Sequence, residues 1–189
     1  MERAIARNAL AGLTVRESTF DDAALREQLE SHHAESFGWA MSCCRHRREE
    51  AENVLQMVYV KVLSGRAIFD GRSAFKTWLF SVIRRTAAGE RRSEMFRRLL
   101  LNDFVKRTPE SATEGAEESV SAAQSQTTLR KALAKLPERQ REVLHLVFYD
   151  DLTVQEAANV MGVGVGSART HYERAKKQMR RYLESGARL

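Results

Sequence analysis

The sequence predicts an all-α protein made of two small helical domains joined by a flexible acidic linker. The second domain contains a helix-turn-helix. Three observations carry this. Apolar residues recur at three- and four-residue spacing through residues 21–104 and again through 129–183, the period of a helix with one buried stripe. Only 2 prolines and 10 glycines occur in 189 residues and 30% of the chain is charged, which suits exposed helix faces and offers little for a large sheet. Between the two periodic stretches the composition turns to Ser, Thr, Ala, Glu and Gln, with almost no large apolar residue.

Residues 1–20 form an N-terminal arm without the continuous apolar core of a secretory signal. No apolar run is long enough to cross a bilayer, so membrane insertion is not expected. The first domain spans residues 21–104. Asp21 or Asp22 caps its first helical segment, in which Leu25, Leu29, Phe37, Ala40, Met41 and Cys44 share a face. The next helix, about 49–64, turns Ala51, Val54, Leu55, Val58, Tyr59, Val62 and Leu63 inward and leaves Glu52, Asn53, Gln56 and Lys61 outside. Gly65 stops it. A third helix begins near Ser73 and buries Phe75, Trp78, Leu79, Val82 and Ile83. A turn is expected at 89–96.

Two adjacent cysteines make no disulfide framework and fit a reducing, cytoplasmic setting. Cys43 and Cys44 lie near His32, His33 and His46, but the spacing matches no zinc template, so no metal site is expected. Enzyme chemistry is not expected either. The sequence offers no nucleophile with a placed base, no phosphate-cradling glycine loop and no cofactor motif.

Charge placement is the stronger signal. The net charge is +6, and it gathers in two places. From Lys76 to Arg98 there are seven cations (Lys76, Arg84, Arg85, Arg91, Arg92, Arg97, Arg98) against Glu90 and Glu94, interleaved with Phe75, Trp78, Phe80 and Phe96. Cations hold phosphates without reading sequence, and aromatics accept unstacked bases, so this stretch suits opened DNA. The linker, residues 105–128, lies in an acidic stretch: from 103 to 119 five anions face two cations.

The last domain, residues 129–189, opens with Leu129, Leu133 and Leu136 on one stripe. Pro137 starts a helix that turns Val143, Leu144, Val147 and Phe148 inward. Thr153 and Glu156 form a capping-box signature, and Gly162 and Gly164 make a tight turn. The helix that follows buries Val165, Ala168, Tyr172, Ala175, Met179 and Leu183. Ser167, Arg169, Thr170 and His171 on its other side can reach base edges, while Arg174 and Lys177 can meet phosphates.

Taken together, the segments resemble a bacterial RNA polymerase sigma factor of the extracytoplasmic-function group, from about Leu25 to Leu183. AENVLQMVYVKVL (51–63) is similar to the helix by which such factors grip the clamp of the polymerase β′ subunit, which implies Glu52, Asn53, Gln56 and Val60 as polymerase contacts. FKTWLFSVIRRTAAGERR (75–92) resembles the segment that reads and melts the −10 element. That implies roles there for Lys76, Arg84, Arg85, Arg91, Arg92 and Phe96. The stretch 136–183 resembles the domain that reads the −35 element and touches the β flap, with Ser167, Arg169, Thr170, His171, Arg174 and Lys177 at the DNA.

The sequence departs from the family pattern at Asn53 and Met57, where acidic residues are usual. It departs again at Arg85 and Gly89 in the melting segment and at Gly164 at the recognition-helix cap. Altered polymerase grip and promoter preference are the expected results. The implied partners are core RNA polymerase, promoter DNA and an anti-sigma factor, at a cytoplasmic, nucleoid-associated location. The competing expectation is a freestanding helix-turn-helix regulator whose N-terminal helices only dimerise.

Overall fold

The computed structural model describes residues 21–102, 129 and 132–186. The expected N-terminal arm and acidic linker lie outside these residues. Among them there are seven helices of eight or more residues and no strand: α1 (Asp22–Ser31), α2 (His33–Cys43), α3 (Arg48–Leu63), α4 (Phe75–Asn102), α5 (Glu138–Phe148), α6 (Val154–Met161) and α7 (Val165–Gly186).

Asp21 caps α1, its carboxylate accepting from the Ala24 N–H at 2.7 Å. The segment expected as one helix breaks at His32, so α1 and α2 are separate. The turn expected at 89–96 does not exist, because α4 runs through it without interruption. Gly89 has open space around it and no positive φ, so nothing there forces the chain to turn.

Helices α2, α3 and α4 pack on one another, and α5 and α6 pack onto α2 and α4. One continuous apolar core results. Leu55, Val58, Leu79 and Ile83 from the first half join Val143, Leu146, Val160 and Met161 from the second. Trp39 is the hinge-pin of this arrangement, and the sequence pattern did not single it out. It is fully buried, stacks on Phe80 at 6.0 Å, donates from Nε1 to the Phe80 carbonyl at 3.0 Å, and lies 5.3 Å from the His145 ring on α5. Phe80 is likewise sealed inside rather than offered to a base. A smaller cluster of Leu136, Leu144 and Ala175 ties α5 to α7.

Three expected core residues lie at the surface: Leu63, Phe148 and Leu183. Phe148 is 61% exposed and rests against Tyr172 of α7 instead of the core. Cys43 and Cys44 are both buried free thiols. Burial pushes Cys43 well above the ordinary thiol range, helped by the charge of Glu142. Among the described residues no group of three metal-ligating side chains comes together.

Candidate nucleic-acid interface

The helix-turn-helix is built as its local chemistry dictates. Thr153 Oγ1 accepts from the Glu156 N–H at 3.2 Å while Glu156 Oε2 accepts from the Thr153 N–H at 2.9 Å, so two orphan donors at the start of α6 are satisfied reciprocally. The Thr153 hydroxyl, which donates to Glu156 Oε2 at 2.7 Å, and then the Thr153 N–H hold the Glu156 carboxyl below the usual range. At the other end Gly162 takes φ +64°, and the N–H groups of Gly162 and Val163 return to the carbonyls of Asn159 and Ala158. Ala157 and Ala158 are fully buried and let α6 approach its neighbours closely.

Helix α7 buries Ala168 and Ala175 and half-buries Tyr172 and Met179. Its far side is open: Ser167, Arg169, Thr170, Arg174 and Lys177 are exposed, and His171 is half-exposed. All six predicted positions therefore lie along one accessible helix surface. Thr170 Oγ1 donates back to the Gly166 carbonyl at 2.9 Å, which leaves its lone pairs outward.

The six positions predicted on α4 do not behave alike. Arg85, Arg92 and Phe96 are exposed, Phe96 by 64%. Lys76, Arg84 and Arg91 are not free. Lys76 Nζ donates to Glu35 Oε1 and to the Asp150 carbonyl, both at 2.8 Å. Arg84 makes a two-pronged contact with Glu142 at 3.0 and 3.3 Å, and Arg91 reaches Glu138 at 3.2 Å and the Cys43 carbonyl. Sequence reasoning missed these acceptors because Glu138, Glu142 and Asp150 stand 47, 58 and 74 residues downstream of their partners.

It also missed a cavity of ≈ 340 Å³ between the end of α3, the following loop and α4, lined by Lys61, Arg66, Ala67, Ile68, Trp78, Val82, Arg85 and Thr86. Three cations surround a floor of Trp78, Val82 and Ile68. Lys61 Nζ is fixed by Thr86 Oγ1 at 3.0 Å. On α3 the four predicted polymerase contacts share one outward strip. Asn53, Gln56 and Val60 are exposed, and Glu52 is half-exposed and paired with Arg48 at 2.8 Å. Val60 is 60% exposed, a β-branched residue left without apolar cover.

At the second-domain seam, His145 Nε2 lies 3.4 Å from Asp150 Oδ2. Burial, followed by the charge of His46, pushes His145 down to about 4. Burial raises Asp150 to about 7 against the pull of Lys76, with Glu35 and Asp151 adding to the rise. A neutral carboxyl therefore faces a neutral imidazole between about pH 4 and about pH 7.

Comparison with known proteins fits this layout. The sigma-70 region 2 family pattern matches residues 29–97, and the sigma-70 region 4 pattern matches residues 126–179. The chain belongs to the extracytoplasmic-function sigma factors. It is a transcription initiation factor, and a freestanding regulator is the less favoured reading.

Among its relatives is the RNA polymerase sigma factor YlaC of Bacillus subtilis, 27% identical over 141 residues, 73% of this chain and 80% of YlaC. The sigma factor BldN of Streptomyces coelicolor is 30% identical over 146 residues, 73% of this chain and 52% of BldN. Among solved structures, the fold resembles the sigma factor RpoE of Bartonella quintana in complex with the anti-sigma factor NepR. That match has TM-score 0.65 and 21% identity and covers 84% of this chain and 96% of the other. CnrH in complex with the cytosolic domain of CnrY has TM-score 0.60 and 19% identity, covering 87% and 90%. Among the described residues no helix is long and apolar enough to cross a membrane.

Proposed function

We propose that this sigma factor divides promoter recognition between two surfaces. Residues 21–104 act on the −10 element, residues 129–189 read the −35 element, and residues 105–128 connect them. The open face of α7 reads the −35 duplex: Ser167, Arg169, Thr170 and His171 at base edges, Arg174 and Lys177 at phosphates. The exposed cations Arg85 and Arg92, with Phe96, meet the opened −10 strand, and the other α4 cations, Lys76, Arg84 and Arg91, join them when unpaired.

The observation that carries the −10 assignment is the cavity beside Trp78. It has room for one unstacked base against an aromatic and apolar floor, with Lys61, Arg66 and Arg85 placed to take the flanking phosphates. Arg85 at its rim would favour an acceptor-rich base edge. The outer strip of α3, from Glu52 to Val60, docks on core polymerase. Nothing in this reading asks the chain to make or break a covalent bond, and an anti-sigma factor is an expected partner. The place of work is the cytoplasm, at the nucleoid.

Reconstituted holoenzyme tests the reading. With purified core polymerase, the protein should yield promoter-specific transcripts from a selected promoter library. Arg85→Ala should change the base preference at one −10 position while leaving the −35 preference alone. Loss of neither transcripts nor −10 preference in Arg85→Ala and Trp78→Ala would refute the cavity assignment.

A further inference from the structure

The cavity beside Trp78 gathers positive charge that no carboxylate answers. Its volume of ≈ 340 Å³ falls within the range of small-molecule sites, roughly 300–1,000 Å³. Lys61, Arg66 and Arg85 surround it, and among the described residues that line it none is acidic. The other α4 cations differ: Lys76, Arg84 and Arg91 are each paired with a glutamate. Neutral partners aim two of the cavity cations instead. Lys61 Nζ donates to Thr86 Oγ1 at 3.0 Å and Arg85 Nη2 to Ser81 Oγ at 3.3 Å, so each keeps its charge and spare donors for a ligand.

The walls are already fixed. Gly65 turns the chain at φ +70°, and the Ala67 N–H returns to the Lys61 carbonyl at 2.9 Å, which ties the loop carrying Arg66 to the end of α3. Phe69 and Phe75 each lie 5.4 Å from the Trp78 ring and hold the aromatic floor in place. A base within a strand must be unstacked before it can enter, and its phosphates lie on either side of it. A free nucleotide needs no unstacking and carries its charge on adjacent phosphates at one end.

We propose that this cavity also binds free guanosine diphosphate, which competes there with the opened strand. The base stacks on Trp78, Arg85 donates to the O6 and N7 acceptors that distinguish guanine, and Lys61 and Arg66 hold the two phosphates. The inference rests on the reading of this cavity as a base pocket. It adds a soluble ligand, whose supply sets how much of the protein is ready for DNA.

Calorimetric titration of the full chain tests it, with guanosine diphosphate, adenosine diphosphate, guanosine and inorganic pyrophosphate as probes. Guanosine diphosphate should bind about tenfold or more tightly than each of the others, because each lacks the base-edge contact, the phosphates or the stacked base. Arg85→Ala should bring the two nucleoside diphosphates to the same affinity. Arg66→Ala should weaken guanosine diphosphate about tenfold and leave guanosine unchanged. Both side chains are exposed, so neither change threatens the fold. Guanosine diphosphate at about ten times its dissociation constant should weaken binding of a labelled single-stranded oligonucleotide about tenfold.

Equal affinity for pyrophosphate and guanosine diphosphate overturns the proposal, since it shows a counterion site only. Nucleotide binding that neither variant alters puts the ligand elsewhere and overturns it as well. Unchanged oligonucleotide affinity overturns the competition. No heat from any nucleotide, with oligonucleotide binding still weakened by Arg85→Ala, sinks the inference and spares the base-pocket reading. Failure of that reading looks different: Arg85→Ala and Trp78→Ala would then leave oligonucleotide affinity untouched with no nucleotide present.

Discussion

Asp150→Asn should stabilise the protein at pH 8 and do little at pH 4. The carboxyl is almost wholly buried, its Oδ2 accepts no hydrogen bond among the described residues, and burial raises it from 3.8 to about 7. Below pH 3.8 the group is protonated whether the chain is folded or not, so it costs nothing. From 3.8 to 7 the unfolded chain ionises first and stability falls by about 1.4 kcal/mol per pH unit. Above pH 7 the full cost is present. Three units give a ceiling of about 4 kcal/mol, and roughly 2 kcal/mol is expected once relaxation and the screening charge of Lys76 are counted.

The amide keeps the shape, carries no charge, and offers an N–H to the neutral His145. The expected gain at pH 8 is about 4–8 °C in melting temperature, shrinking toward zero at pH 4. His145 titrates with the opposite sign: its stabilising share is present above 6.5 and is lost as pH falls toward 4. It is present in both proteins and largely drops out of the difference. Groups facing the pair are Lys76, Glu35, Asp151 and His46. Paired thermal melts from pH 4 to 8 decide it. A D150N variant less stable than the parent at pH 8, or a gap independent of pH, would refute the reasoning by showing an ionised Asp150 gaining from a charged partner.

Trp39→Ala should cost about 3–5 kcal/mol in denaturant unfolding, because it empties the centre of the core and removes the indole N–H that the Phe80 carbonyl accepts. Gly162→Ala should cost about 1 kcal/mol through its left-handed φ alone, since open space surrounds the position; chemical melts that show no loss would discount the turn geometry. In titrations of a −35 duplex, Lys177→Ala should lower the salt slope by about 0.9 with little change in sequence preference, whereas Arg169→Ala should relax preference by about 1–3 kcal/mol at one base. Val60→Glu should weaken capture of core polymerase while leaving the melting temperature nearly unchanged, because the side chain is mostly in water already.

Local rules made the helix-turn-helix legible. The capping box at Thr153, the turn at Gly162 and the stripe from Ala168 to Ala175 are all short-range signals, and each appears as read. Long-range pairing was not legible. Arg84 and Glu142 are 58 residues apart, and no periodicity links them, so Arg84 reads from sequence as a free cation. Trp39 escaped for a related reason: its partners Phe80 and His145 come from two other helices, and only their meeting defines its place. Phe148 erred the other way. It follows the helical stripe of α5, but α5 ends beside α7 instead of beneath it, so the ring finds Tyr172 and solvent.

The buried thiol of Cys43 sits where the two halves meet, its carbonyl held by Arg91 and its proton held on by burial and by Glu142. A thiol kept protonated and out of water reacts slowly with alkylating reagents. Separation of the halves removes both protections at once. The protein thus carries its own chemical stopwatch: the rate at which iodoacetamide alkylates Cys43 measures how often the seam parts, with no engineered cysteine needed.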